Sequence, residues 1–466
     1  MGSMKQQHRM DKQSTLAVGY PIPTWSDFPQ SAMVLRWVRQ LIRGWRQSAL
    51  DVPTAQLLGA AALIEHDYPR NIEALARLIA ADLDVEFQSI DPEQASLPDV
   101  TNPFSGQLQG VLYLESGGWQ EAEDGPGTPR SDTPAGRVRS FLEGNFESPA
   151  FIVITTCRDV EKVYPPLRRI SGFSRVFELP CPSPEELGAL FIASCDRTWL
   201  SDDVVGNPRR VGLLLGGSHE GYEGRVFARL FAQRIALLEG RRVTFKDLAL
   251  LDSVGPIESC STLPTMSGLD ERVAWHEAGH AAVALLDSNC RHIPEYLTVT
   301  PRRNTLGFMT FSREHCERRL FAYTRSMMIH EIRVSLAGRA VEEMIYGNDE
   351  VSDLCVNDLE RAAETLKSGV LKYGFQFASE QPDLPPLAAS SASGEAIFPL
   401  VQSNPAWRGV LEREYEATIK IAQQNRSLIE AIQRRLLRDR VLFREDFATI
   451  WTMHVRKEKS LCQSAA

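Results

Sequence analysis

The sequence predicts two halves of different fold class: an α/β N-terminal half with a parallel sheet and a helical subdomain, then a mainly α-helical second half. Three observations predict it. From about residue 50 to 180, short buried strand runs alternate with helical runs, the pattern of crossover units in a parallel sheet. From Ser183 onward the strand runs stop and helical periodicity takes over. A Ser/Pro/Thr-rich stretch, 253–267, reads as a linker, and the next long helical run starts at about Gly268.

Length and composition agree with this division. A chain of 466 residues is too long for one core and should form two or three domains. Its 43% hydrophobic and 24% charged residues are ordinary globular values. A net charge of −9 argues against a general nucleic-acid binder, because no basic excess exists to neutralise phosphates. Arg434, Arg435, Arg438 and Arg440 read instead as a solvated helix face. Eight scattered cysteines without a C-x-x-C pair look like reduced thiols of a cytosolic protein. No apolar run reaches the roughly 18 residues of a transmembrane helix, and no secretory signal is visible, so a soluble, cytoplasmic protein is expected.

Taken in order, residues 1–48 should be a poorly ordered tail plus an amphipathic helix. In 32–45, apolar residues recur at helical spacing with arginines between them. This reads as a helix docked on a domain, with interfacial membrane contact as the alternative. The α/β domain, 49–182, has a predicted helix at 72–84 and strands at 85–90 and 110–114, then a helix at 136–142 and strands at 150–156 and 175–179. Its Gly/Pro-rich segment 121–134 should be a mobile loop. The helical subdomain, 183–252, opens with Pro184-Glu185-Glu186 after a Ser183 cap, continues with a helix at 224–239 and has a third capped at Thr244. The second half, 268–466, is helical except for predicted strands at 297–300 and 306–311.

Candidate chemistry centres on His276-Glu277-Ala278-Gly279-His280, which reads H-E-x-x-H. Residues four apart share a helix face, so His276 and His280 can present imidazole nitrogens to one divalent ion. Glu277 is then placed to act as general base on a water in an open coordination position, and the implied chemistry is peptide hydrolysis. The motif has only three fixed residues and also occurs by chance on amphipathic helices. The small residues Ala278, Gly279, Ala281 and Ala282 favour a built site, since a mid-helix glycine costs roughly 1 kcal/mol and implies close packing. A hydrolytic zinc site needs a third protein ligand, and Asp353, Glu342, Glu343 and Asp358 are all downstream.

Ser335-Leu336-Ala337-Gly338-Arg339-Ala340-Val341-Glu342-Glu343 leads into Asn357-Asp358-Leu359-Glu360-Arg361-Ala362. With the HEAGH motif, these stretches resemble the peptidase domain of the FtsH family of AAA+ zinc proteases over residues 268–455, with a divergent stretch at 380–405 and a helical tail over 411–447. The resemblance implies Zn²⁺ as cofactor, His276, His280 and Asp358 as its ligands, and Glu277 as the base. It further implies a protein or peptide substrate, whose extended backbone pairs with the 306–311 strand, and a homo-oligomer, by analogy a hexamer. An ordinary core hairpin is the plainer account of that strand.

The first half resembles the family's AAA+ module in outline only. Where a P-loop G-x-x-x-x-G-K-[ST] belongs stands His66-Asp67-Tyr68-Pro69-Arg70-Asn71-Ile72-Glu73. Ile72 falls at the lysine and Glu73 at the Mg²⁺-binding hydroxyl. Glu115 and Ser116 replace the Walker B acidic pair, Cys157 the sensor asparagine and Gly172 one arginine finger. The expected function is a soluble zinc endopeptidase that acts on unfolded or loosely folded polypeptides without ATP hydrolysis. A non-catalytic partner that modulates other FtsH-like proteases is the alternative, and a ligand-sensing first half that gates the peptidase is a third reading.

Overall fold

The computed structural model describes residues 23–28, 32–48, 61–66, 69–94, 110–117, 120, 133–147, 151–169, 171–216, 221–251, 267–286, 293–300, 306–311, 323–375 and 405–464. The proposed loop 121–134 (but for 133–134), the linker 253–267 (but for Ser267) and nearly all of the divergent stretch 380–405 lie outside them. Two compact units, residues 1–243 and 244–466, are taken in turn.

The first unit is built on a parallel sheet. Helix α1 (Ala32–Ser48) is followed by β1 (Ala61–Glu65), α2 (Pro69–Leu83), β2 (Glu86–Ile90), β3 (Gly110–Leu114), α3 (Pro134–Glu147), β4 (Phe151–Cys157) and β5 (Arg175–Glu178). The strand order is β2-β3-β4-β1-β5, parallel throughout. Side chains alternate between the faces of a strand, and here both faces are covered, so the strands read as continuous apolar runs. Ala62, Ile64, Val111, Tyr113, Ile152 and Ile154 meet Ile72, Leu75, Ala76 and Ile79 of α2. On the other face, Ala61, Leu63, Leu112, Leu114 and Val153 meet Ala135, Val138, Phe141 and Leu142 of α3. The sheet is sandwiched between helices, as an alternating pattern requires.

Helix α1 is docked. Its Val34, Trp37, Val38 and Leu41 are buried in the same core as α2, and the Trp37 ring lies 5.4 Å from Phe177. The apolar stripe that could have met a membrane surface is therefore spent on the sheet. Among the described residues, no helix is long and apolar enough to cross a membrane.

Beyond the sheet come α4 (Pro184–Ser194), α5 (Asp202–Gly206), α6 (Pro208–Leu215) and α7 (Tyr222–Leu238). Ser183 caps α4, with Glu186 reaching back to its backbone N–H at 2.8 Å. Helices α4 and α6 cross at two glycines. A Cβ on Gly188 would strike the Pro208 carbonyl, and one on Gly212 would strike the Pro184 carbonyl.

The second unit contains α8 (Phe245–Ala249), α9 (Ser267–Leu286), β6 (Tyr296–Thr298), β7 (Phe308–Thr310), α10 (Arg325–Tyr346), α11 (Val356–Leu371), α12 (Pro405–Gln424), α13 (Arg426–Asp439), β8 (Val441–Phe443) and α14 (Arg444–Ser464). Helix α9 packs between α10 and α13, burying Ala274, Ala278, Ala281, Ala282 and Leu285 with Val341, Ile432 and Leu436. The sequence predicts a helical tail over 411–447, and within it β8 forms a short strand that pairs antiparallel with β6. Among the described residues the sheet order is β7-β6-β8, with β7 at an edge. The arginines of α13 are ion-paired, Arg434 with Glu430 and Arg435 with Asp439 and Asp446, whereas Arg440, just past the helix, is a partly buried partner of Asp270 on α9.

The α4–α6 crossing gives a test of sign. Helix propensity alone makes Gly188→Ala a gain of roughly 1 kcal/mol. Because the added methyl meets backbone rather than a flexible side chain, a net loss of about 1–3 kcal/mol is expected in urea unfolding.

Candidate metal centre

The site is assembled from three helices. Helix α9 carries His276, Glu277 and His280, which are 4%, 8% and 6% exposed. Helix α10 supplies the floor, and the first turn of α11 carries Asp358. His276 Nε2 lies 3.0 Å from His280 Nε2 and 3.0 Å from Asp358 Oδ2, and His280 Nε2 lies 3.2 Å from the same oxygen. Ligand atoms about 2.0–2.1 Å from a tetrahedral zinc sit roughly 3.3 Å from one another, so this spacing suits such an ion.

Proton positions sharpen the fit. His280 Nδ1 is 2.6 Å from the Val334 carbonyl, which only accepts, so Nδ1 carries the hydrogen. His276 Nδ1 likewise donates to Glu342 Oε1 at 2.7 Å. With both Nδ1 atoms protonated, two neutral imidazoles would turn lone pairs toward each other and toward a carboxylate oxygen. Three acceptors that close require positive charge among them. This is the arrangement in which a carboxylate or carbonyl sets the tautomer of a metal-binding histidine.

The ionisation tendencies have the same origin. Burial disfavours the imidazolium of His276, but its bonds to Asp358 and Glu342 outweigh that and push it up to about 10. His280 is also raised, the Asp358 charge overcoming burial. Burial would raise Glu342, yet hydrogen bonds from His276 and Ser352 bring it down to about 2. Asp358 is held well below the usual carboxylate range, since the His280 charge and bonds from both imidazoles outweigh its burial. Glu277 moves the other way and is raised by its burial.

Two glycines make room for these groups. A Cβ on Gly338 would enter the His276 ring, and one on Gly307, just before β7, would strike the Glu277 carboxylate. Gly279 allows the helices themselves to approach: its Cβ would lie 2.8 Å from the Ala337 carbonyl oxygen and 2.8 Å from Val341. The close packing inferred from a glycine between two histidines is thus the α9–α10 crossing.

Of the residues singled out in the sequence, the structure brings together His276, His280 and Asp358, with Glu277 beside them on α9. Asp353 is exposed, and Glu343 accepts the Tyr415 hydroxyl at 2.6 Å. Glu342, considered only as a ligand, has a supporting place. Its Oε2 accepts the Ser352 N–H at 2.9 Å and hydroxyl at 2.7 Å, and Arg272 approaches at 3.3 Å. Sequence reasoning missed this role. The available signal was the spacing of Gly338 and Glu342, four apart on one helix face.

Two histidines on one helix and a carboxylate from another, with a further carboxylate alongside, make up a candidate metal centre of the H-E-x-x-H kind. Residues 268–450 match peptidase family M41. An ATP-dependent zinc metalloprotease FtsH of Mesomycoplasma conjunctivae is 31% identical over 38% of this chain and 24% of that protein. The FtsH of Thermus thermophilus is 25% identical over 70% of this chain and 52% of its own length. An ATP-dependent zinc metalloprotease YME1 homolog of Schizosaccharomyces pombe is 26% identical over 35% of this chain. The chain is similar to FtsH-like zinc metalloproteases, and the family match lies in its second half. The chain spans between about a quarter and a half of the length of these relatives.

Glu342 tests the supporting shell. In Glu342→Gln an oxygen can still face His276, but the amide N–H₂ then opposes the Ser352 donors. Divalent-metal affinity, measured by competition with a chelating dye, is expected to fall about 10–100-fold with the helical circular dichroism unchanged.

Proposed function

We propose that the second unit is a zinc endopeptidase in which His276, His280 and Asp358 hold the ion and Glu277 is the general base. One observation carries this reading: three donor atoms converge at 3.0–3.2 Å with a buried, non-ligating carboxylate next to them. Zinc bound there would supply Lewis acidity toward the scissile carbonyl. Glu277 takes the proton of the attacking water on a carboxylate oxygen and returns it to the leaving amine. Its burial, by favouring the protonated carboxyl, suits a group that must hold that proton between the two steps. A structural metal site has no use for such a base, which favours catalysis over the adaptor reading.

Substrates are extended polypeptide segments. Strand β7 is an edge, and Gly307 at its start abuts Glu277, so a chain paired along β7 would run past the base. Main-chain pairing gives affinity with little sequence preference. By analogy with the family, the chain forms a homohexamer; its scattered cysteines without a C-x-x-C pair support a cytoplasmic location. The proposed domains are an AAA+-like module at 49–182, a helical lid at 183–252 and the peptidase at 268–466.

The first unit does not hydrolyse ATP in this reading. Only His66-Asp67-Tyr68 separate β1 from α2, where a phosphate-cradling loop would need a run of backbone N–H groups. Ile72 is fully buried. Glu73 is paired to Arg77 at 2.8 Å. Burial pushes the Cys157 thiol up to about 12, an inert group, and Gly172 is packed onto the Leu167 backbone.

The metal assignment predicts about one zinc per chain, lost in His280→Ala and in Asp358→Ala. Glu277→Gln should keep its zinc and lose casein cleavage. Zinc unchanged in Asp358→Ala would take that residue out of the ligand set, and cleavage unchanged in Glu277→Gln would require another base.

Cleavage should be indifferent to ATP, and calorimetry should detect no nucleotide binding below millimolar concentration. Without powered unfolding, a folded substrate is cut only from its open population, which falls about tenfold for every ~1.4 kcal/mol of its stability. Destabilising point mutations in that substrate should restore cleavage in proportion. ATP-accelerated degradation of the stable version by the purified protein would overturn the reading.

A further inference from the structure

The connection leaving β1 runs over one face of the sheet through α2, and the connection leaving β4 packs Val163, Leu167 and Phe173 on the other, beside α3. The carboxyl ends of the adjacent β1 and β4 therefore form a topological switch point, the crevice where open α/β sheets take their ligands. In this chain His66 fills it. The His66 backbone N–H donates to the Cys157 carbonyl at 2.9 Å, and the residue is 5% exposed.

A chain of hydrogen bonds passes through this imidazole. The Tyr222 N–H donates to Asn71 Oδ1 at 2.6 Å, Asn71 Nδ2 to His66 Nε2 at 2.9 Å, and His66 Nδ1 to the Leu179 carbonyl at 2.7 Å. Both ends are backbone groups of fixed polarity, so only one placement of hydrogens satisfies every bond. Tyr222 is the first residue of α7, and the N-cap, Gly221, has no side chain to offer. Asn71, in the first turn of α2 and 5% exposed, caps α7 from another helix. A Cβ on Gly221 would lie 3.3 Å from Asn71 Oδ1, so the glycine leaves the amide its approach. Arg70 pairs with Glu223 at 2.7 Å alongside.

We propose that this buried polar chain stands in for a bound ligand: His66 and Asn71 tether helix α7 to the sheet and to α2, so that the helical part of the first unit is held without nucleotide. The tether accompanies the nucleotide-independent reading but does not involve the metal centre.

Amide hydrogen exchange on the full-length, zinc-loaded protein tests it. Asn71→Ala removes the cap, and exchange in the first turns of α7 is expected to rise about five- to tenfold, with α3 and the second unit unchanged. Asn71→Asp keeps an acceptor for the Tyr222 N–H at a helix N-terminus, where a negative charge is favoured, but gives His66 Nε2 no donor, so α7 exchange should fall between wild type and Asn71→Ala. Unchanged α7 exchange in Asn71→Ala would overturn the tether. So would a rise spread evenly over β1–β5 and α7, which would make Asn71 a general stability residue. Protection of α7 on adding ATP to the wild type would instead overturn the nucleotide-independent reading, while the comparison of the two Asn71 variants would still decide the tether.

Discussion

Three acceptor atoms held 3.0–3.2 Å apart are the constraint around which the second unit is arranged. Such a cluster is unstable in a buried place unless positive charge lies among the atoms. The protein enforces it from outside, through the two Nδ1–H bonds that turn both imidazoles the same way. Glu342 does this for His276 while also gripping Ser352, shortly before α11 begins. One buried carboxylate thus links the helix of the histidines, the helix that forms the floor and the segment that leads to Asp358. Loss of any of these bonds would free an imidazole to turn.

Helices usually pack with axes 8–10 Å apart, and the site depends on small residues along the contact. The glycines at 279 and 338 and the alanines at 274, 278, 281 and 282 bring α9 and α10 together, and Gly307 sets the edge strand against Glu277. In that setting Glu277 is nearly enclosed, which both raises its carboxyl and fixes where its oxygens point. The same closeness that builds the site leaves no room for larger side chains at these positions.

Much of this was legible in the sequence, for physical reasons. Periodicity and spacing signal helices that bury one face and ligands that share one face, so the α/β-then-helical order and the His276/His280 pair were readable. Strand β1 is not among the predicted strands, because its short apolar run Ala61 to Ile64 fits a buried helix segment as well as a strand. Strand β8 was hidden in a predicted helical tail. Its three apolar residues fit either state, and the break before it falls on Arg440, left-handed at φ 65°, where a glycine or asparagine would have marked the helix end. Arg440 is held there by its ion pair with Asp270, 2.7 Å away and distant in sequence. The supporting role of Glu342 was not readable, because sequence spacing lists carboxylates without saying which oxygen faces a metal and which faces an Nδ1–H.

The two units apply one device to opposite ends. Each contains a buried polar chain whose hydrogens are fixed by a backbone group of unambiguous polarity, the Val334 carbonyl in one and the Leu179 carbonyl and Tyr222 N–H in the other. In the second unit the chain ends on lone pairs aimed at a common point, which leaves a demand for a cation. In the first unit donor meets acceptor at every step from the Tyr222 N–H to the Leu179 carbonyl. Under the nucleotide-independent reading proposed above, a switch point bonded in this way leaves a phosphate few donors among the described residues. On this view the degenerate P-loop place and the intact H-E-x-x-H helix follow from one rule: a site takes a ligand only where the protein's own hydrogen bonds stop short.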